Sequence, residues 1–183
     1  MGQFSVGVNS AYKAGLSKAH AFVTGRWIAG LMPKCNIPTP SNPRITSFMA
    51  TTQHIISTLP NTSPWVDALR DRRHFPSAPA VYALMLGERF PRLLGDSQVL
   101  YIGQTGQLGG DSDRSRLYGY RYPSGGHSRL IRSKAAQLLA IGHMITFHWA
   151  VVEDQDTSRR IEAALLQMHL DEHLEFPPFN GKS

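Results

Sequence analysis

Tyr82 and Tyr101 lie in two apolar runs, AVYALM and VLYIGQ, and Arg116 is followed four residues later by Tyr120. Glu162 belongs to a long amphipathic stretch near the C-terminus. A guanidinium grips a phosphate bidentately with its planar fork of donors, which a lysine does not reproduce. On a helix, Arg116 and Tyr120 project from one face while Leu117 turns toward a core. At 100° per residue Glu162 falls between the directions of Leu165 and Leu166, whereas Arg160, Gln167 and Asp171 cluster on the opposite face. A partly buried carboxylate is costly unless it is paired or holds a cation, for which Mg²⁺ or Mn²⁺ with retained waters is the natural choice. Hydrolysis of a phosphodiester needs an activated water, a counter-charge for the transition state and help for the leaving oxygen. The set contains a candidate for each. Taken singly, a tyrosine on an apolar strand is a core residue, Glu162 pairs at the surface with Ser158 or an arginine, and Arg116 touches a phosphate without acting on it. Arg114 rivals Arg116, although the context of Leu117 and Tyr120 favours the latter. His127, in GGHS, reads equally as a phosphate contact, a proton carrier or a plain loop histidine.

The elements that must position these residues follow from periodicity and punctuation. Strands are expected at Ala80–Met85 and Val99–Gln104, paired as a hairpin across which Tyr82 and Tyr101 face each other. The segment between them, GERFPRLLGDSQ, reads as a polar, proline-containing connection. A Gly- and Asp-rich loop leads to a short helix near Arg114–Arg121, and a second turn leads to a helix over Ser128–Ile141. Ile145, Phe147, Trp149 and Val151 alternate as one face of a third strand. The last helix begins after Asp156 and runs to about Glu175, where Pro177 and Pro178 stop it. Upstream, Ile45–Leu59 and Ser63–Arg72 are expected as supporting helices, the second opening on Ser-Pro. The order β-β-α-α-β-α makes a small α+β domain with a three-stranded antiparallel sheet flanked by helices.

Composition bounds the class. A chain of 183 residues with 42% hydrophobic content holds one cored domain and an appendage. One cysteine, Cys35, excludes a disulfide framework or Cys-rich zinc module and suits a reducing compartment, so a cytoplasmic location is expected. No run is long and apolar enough to span a bilayer, so no membrane partner is expected. The net charge of +6 is lopsided: residues 1–66 contain no acid and carry Lys13, Lys18, Arg26, Lys34 and Arg44. Residues 1–44 read as a basic, helical or flexible tail ending in the Pro-rich linker PKCNIPTPSNP, followed by supporting helices over 45–77 and the main domain over 78–183. The acid-free tail also fits an organelle-targeting segment, or a true start at Met49.

In their order, AVY at 80–82, YIG at 101–103, Arg116 with Leu117, Glu162 and Asn180 resemble the signature of the GIY-YIG nucleases, over residues 78–180. The resemblance implies a metal-dependent endonuclease acting on DNA, with Glu162 holding Mg²⁺ or Mn²⁺ and Tyr82 as the general base. A free phenol titrates at about 10, so Tyr82 would need Arg116 and the cation beside it. Tyr120 occupies a position that in the family is often His or Tyr, and Asn180 is expected to hold the terminal segment against the site. Two features depart from the pattern, AVY in place of GIY and long connections after both tyrosines, and they leave the substrate open.

Other readings compete. His169, Glu172 and His173 match the H-x-x-E-H of reversed zinc proteases, but only Glu175 follows as an acidic ligand. The terminal Gly181-Lys182-Ser183 lacks the leading glycine and the following helix of a phosphate-binding loop. A non-catalytic nucleic-acid-binding module on the same fold is the remaining alternative.

Overall fold

A computed structural model describes residues 50–181. The tail and linker over 1–44, Cys35, Met49 and the start of the expected Ile45–Leu59 helix lie outside the described residues. Contacts divide the chain after Phe48, and the unit Met49–Ser183 is the one described below.

The elements run α1 (Thr52–Ser57), β1 (Asn61–Pro64), α2 (Trp65–Arg70), a 3₁₀ turn (Arg72–His74), β2 (Ala80–Pro91), β3 (Asp96–Thr105), α3 (Arg116–Arg121), α4 (Gly126–Ala140), β4 (Ile145–Val151) and α5 (Gln155–His173). The domain is α+β, and its antiparallel sheet has four strands, not three, in the order β1-β4-β2-β3. The missed strand is β1, where Asn61 to Pro64 pair with Trp149 to Thr146. Its polar residues and proline gave no alternation, and a short edge strand tolerates Pro64 because one side of its backbone needs no partner. The helix expected from Ser63 therefore starts at Trp65, with Pro64 as its cap.

The expected connection between the hairpin strands is largely strand itself. β2 continues to Pro91, β3 starts at Asp96, and Gly95 closes the turn at φ 67° with the Arg92 N–H donating to its carbonyl at 2.9 Å. Gly87, Glu88 and Arg89 are exposed there, so no apolar rhythm marks the extension. In β4 the alternation holds for Ile145 and Phe147 and fades at Val151, which is exposed.

Alternation along β2 builds two cores. Ala80, Tyr82, Leu84 and Leu86 face Trp65, Leu117, Tyr120, Ile131 and Phe147, which come from α2, α3, α4 and β4. Val81, Ala83 and Met85 face Ile56 and Leu165, from α1 and α5. Helices thus cover both faces of the sheet. The hairpin register shifts between Leu84 and Met85 and again between Met85 and Phe90; at the first, Leu84 pairs with Tyr101 but Met85 with Val99, so Leu100 is a bulge. The bulge sends two consecutive side chains, Leu100 and Tyr101, into the α3–α4 core. Among the described residues, no helix is long and apolar enough to cross a membrane.

Candidate active site

Tyr82 and Tyr101 are on one face of the hairpin but are not directly opposite, because Tyr82 pairs with Gly103 and Tyr101 with Leu84. Their rings meet diagonally at 6.0 Å. Gly103 permits this. A Cβ there would lie 2.6 Å from the Tyr101 ring and 2.8 Å from the Tyr82 hydroxyl.

α3 brings the next two groups. Ser115 caps it by accepting from the Tyr118 N–H at 3.3 Å, so the helix opens on Arg116 rather than Arg114. Leu117 is wholly buried, and Arg116 and Tyr120 share a face, with the guanidinium 5.9 Å over the Tyr120 ring. The Tyr120 hydroxyl hydrogen-bonds that of Tyr82 at 2.9 Å. Arg114 is exposed. His127 is not in a loop but in the first turn of α4, where its Nε2 hydrogen-bonds the Tyr101 hydroxyl at 3.2 Å.

Glu162 arrives from the other layer, on α5, which Asp154 caps by accepting from the Thr157 N–H at 2.6 Å. Its meeting point with Arg116 is the outer edge of β3. Arg116 donates to the Gln104 carbonyl at 3.5 Å, and both Arg116 and the Gln104 backbone act to lower the Glu162 carboxyl against its burial. The Gln104 side chain accepts from the buried Ser158 hydroxyl at 3.3 Å. Further along the same edge, Asn180 closes the strand: its Oδ1 accepts from the Ile102 N–H at 2.8 Å and its Nδ2 donates to the Ile102 carbonyl at 2.7 Å. The Phe179 N–H donates to Leu100 O at 2.9 Å. Within VLYIGQ neither Gly103 nor Gln104 carries a side-chain signal for a role of its own. Only strand register and edge position reveal one.

The electrostatics follow from burial. The Tyr82 phenol is pushed well up by burial, then by its tyrosine neighbours, against which Arg116 works. Tyr120 is pushed well up in the same way, and Tyr101 is raised chiefly by burial. The three phenols are therefore neutral hydrogen-bonding groups in this state. Burial also raises the Glu162 carboxyl, opposed by Arg116 and the Gln104 backbone. Arg116 is raised above its ordinary value, first by the charge Tyr82 would carry on ionising and against its own burial, so it is cationic while the phenols are neutral. Among the described residues there is no group of three or more His, Cys, Asp and Glu able to hold a metal ion. A metal ion at this site would have Glu162 as its carboxylate ligand and would complete its shell with other oxygens.

His169 and His173 do share a face of α5, with rings 4.4 Å apart. Their Nδ1 atoms bond the carbonyls of Glu175 and Leu94 at 2.9 and 2.8 Å, while Glu172 accepts from the Thr52 N–H at 2.6 Å. These three groups tie the end of α5 to the hairpin turn and to α1.

Comparison of the chain with models of known families, with curated proteins and with solved structures finds no match.

Proposed function

We propose that the domain is a GIY-YIG-type endonuclease that hydrolyses DNA phosphodiester bonds with Mg²⁺ or Mn²⁺. The observation that carries this reading is the convergence of Arg116, Glu162 and three linked tyrosines on one stretch of β3, from elements on both faces of the sheet. Arg116 would bind the scissile phosphate, and a guanidinium already fixed by Gln104 and Tyr120 stabilises developing charge without reorganising. Glu162 would hold the metal, whose chemistry is to polarise the phosphate and lower the pKa of water. Tyr82 would be the proton acceptor once a cation and phosphate enter beside it, with Tyr120 and His127 orienting the phenol pair. Asn180 would fix the strand edge on which Arg116 and Glu162 meet.

Glu162→Gln tests the reading. In plasmid nicking assays the parent should cut with Mg²⁺ and stop with EDTA, and the variant should be inactive while still binding DNA. Without metal the variant should melt no lower than the parent. The carboxyl titrates above its unfolded value, so its contribution to stability is present at low pH and is lost as pH rises through the folded pKa. Added Mg²⁺ should raise the parent's melting temperature by mass action and leave the variant's unchanged. Cutting by the variant near the parent's rate would overturn the assignment.

A further inference from the structure

The end of α3 meets the corner between α2 and the 3₁₀ turn, and together they enclose a cleft of about 370 Å³. Clefts that take small ligands begin at roughly 300 Å³. Arg70, Arg72, Arg73 and Arg121 line it against a single carboxylate, Asp71. Two of these guanidinium groups are fixed by the fold. Arg72 is buried, donates to Gly110 O at 2.6 Å and lies 4.9 Å over the Tyr118 ring. Arg121 donates to the α2 carbonyls of Arg70 and Leu69 at 2.8 and 3.3 Å. A guanidinium has five N–H donors, so each of these retains some for a ligand, and being held already it loses little entropy on binding. Arg73 pairs at 2.9 Å with Asp111, but both side chains are mostly exposed, and such a pair yields readily to a phosphate.

The remaining lining residues are His74 and Tyr122. Tyr122 is 52% exposed, yet its ring is braced by Tyr118 at 4.9 Å and by the Arg121 guanidinium at 5.5 Å. Guanidinium groups beside an exposed, braced ring are the combination that holds single-stranded nucleic acid, the charges on the backbone and the ring under a base. We propose that this cleft binds one nucleotide of an unpaired DNA strand, its phosphate against Arg72, Arg73 and Arg121 and its base on Tyr122. The choice of DNA rests on the nuclease reading, to which the cleft adds that the substrate carries an unpaired segment.

The test uses the full chain in EDTA, with a fluorescein-labelled oligothymidylate and a blunt mixed-sequence duplex as probes. Tyr122→Ala should weaken oligothymidylate binding about tenfold and leave duplex binding unchanged, while Tyr122→Phe, which keeps the ring, should bind like the parent. Arg73→Glu should also weaken oligothymidylate binding and lower the slope of log affinity against log salt by about one. Both substituted side chains are exposed, and an unchanged melting curve verifies the fold. Unchanged oligothymidylate affinity in Tyr122→Ala or Arg73→Glu, an equal loss for the duplex in Tyr122→Ala, or a loss in Tyr122→Phe would overturn the proposal. Cutting with Mg²⁺ is measured separately. A parent that cuts, with variants that bind normally, would overturn the cleft and leave the nuclease; a parent that never cuts, with the binding losses described, would overturn the nuclease and leave the cleft.

Discussion

Gly103 sets the distance between the hairpin tyrosines, since both rings occupy the space that a side chain would fill. Gly103→Ala should force Tyr101 or Tyr82 from its rotamer and destabilise the domain by about 1–3 kcal/mol, measured by urea melts, with loss of any nicking activity. The Tyr82 and Tyr120 hydroxyls form a buried pair, so Tyr120→Phe leaves one without its partner, at a cost on the order of 1–3 kcal/mol. Tyr82→Phe combined with Tyr120→Phe removes both and should be less destabilised than the sum of the single variants. Strict additivity in those melts would show that neither hydroxyl depends on the other. Helical angle marks out Arg116 and Glu162 in the sequence, whereas Tyr82 taken singly reads as a core strand residue and is a candidate only through its place in the ordered motif set. The partnership of Tyr101 with His127 was not legible, because it depends on α4 starting two residues earlier than its periodicity suggests.

At the level of elements, β3 is an edge strand whose free side is covered by the terminal segment and the Arg116–Glu162 meeting point. Asn180 imitates a neighbouring strand with its amide. Asn180→Ala should expose that edge. Hydrogen exchange at the Ile102 amide should accelerate while the β2–β4 amides stay protected, and protection of Ile102 equal to the parent's would show that Asn180 does not close the edge. The strands and helices with strong apolar rhythm were readable, with ends displaced by caps such as Ser115 and Pro64. β1 and the outward extension of the hairpin were not, because pairing rather than local pattern makes them strands. The bulge at Leu100 is equally silent in the sequence, yet it decides that Leu100 joins Tyr101 in the core beside Tyr82.

For the molecule as a whole, charge is segregated: residues 114–152 contain no acid and carry six Arg or Lys, and they form α3, α4 and β4. The net charge alone, concentrated in the acid-free tail, hid this second basic region. Global stability should depend on acid through the tie between α5 and the hairpin turn. Burial lowers His169 to about 4, so between that value and its ordinary 6.5 the unfolded chain binds the extra proton. Stability from this group is complete above pH 6.5 and declines as pH falls toward 4, by on the order of 1–3 kcal/mol, and His169→Gln should flatten that decline in urea melts. A parent equally stable at both ends of that range would refute the buried neutral ring. The closure of β3 also has a history in time. Asn180 follows Ile102 by 78 residues. At about 5–20 residues per second, a ribosome needs roughly 4–16 s to reach it after the hairpin has been made. During that interval the nascent chain carries an apolar strand edge with no partner, so synthesis rate and chaperone cover, rather than final stability, set how much of the protein escapes aggregation.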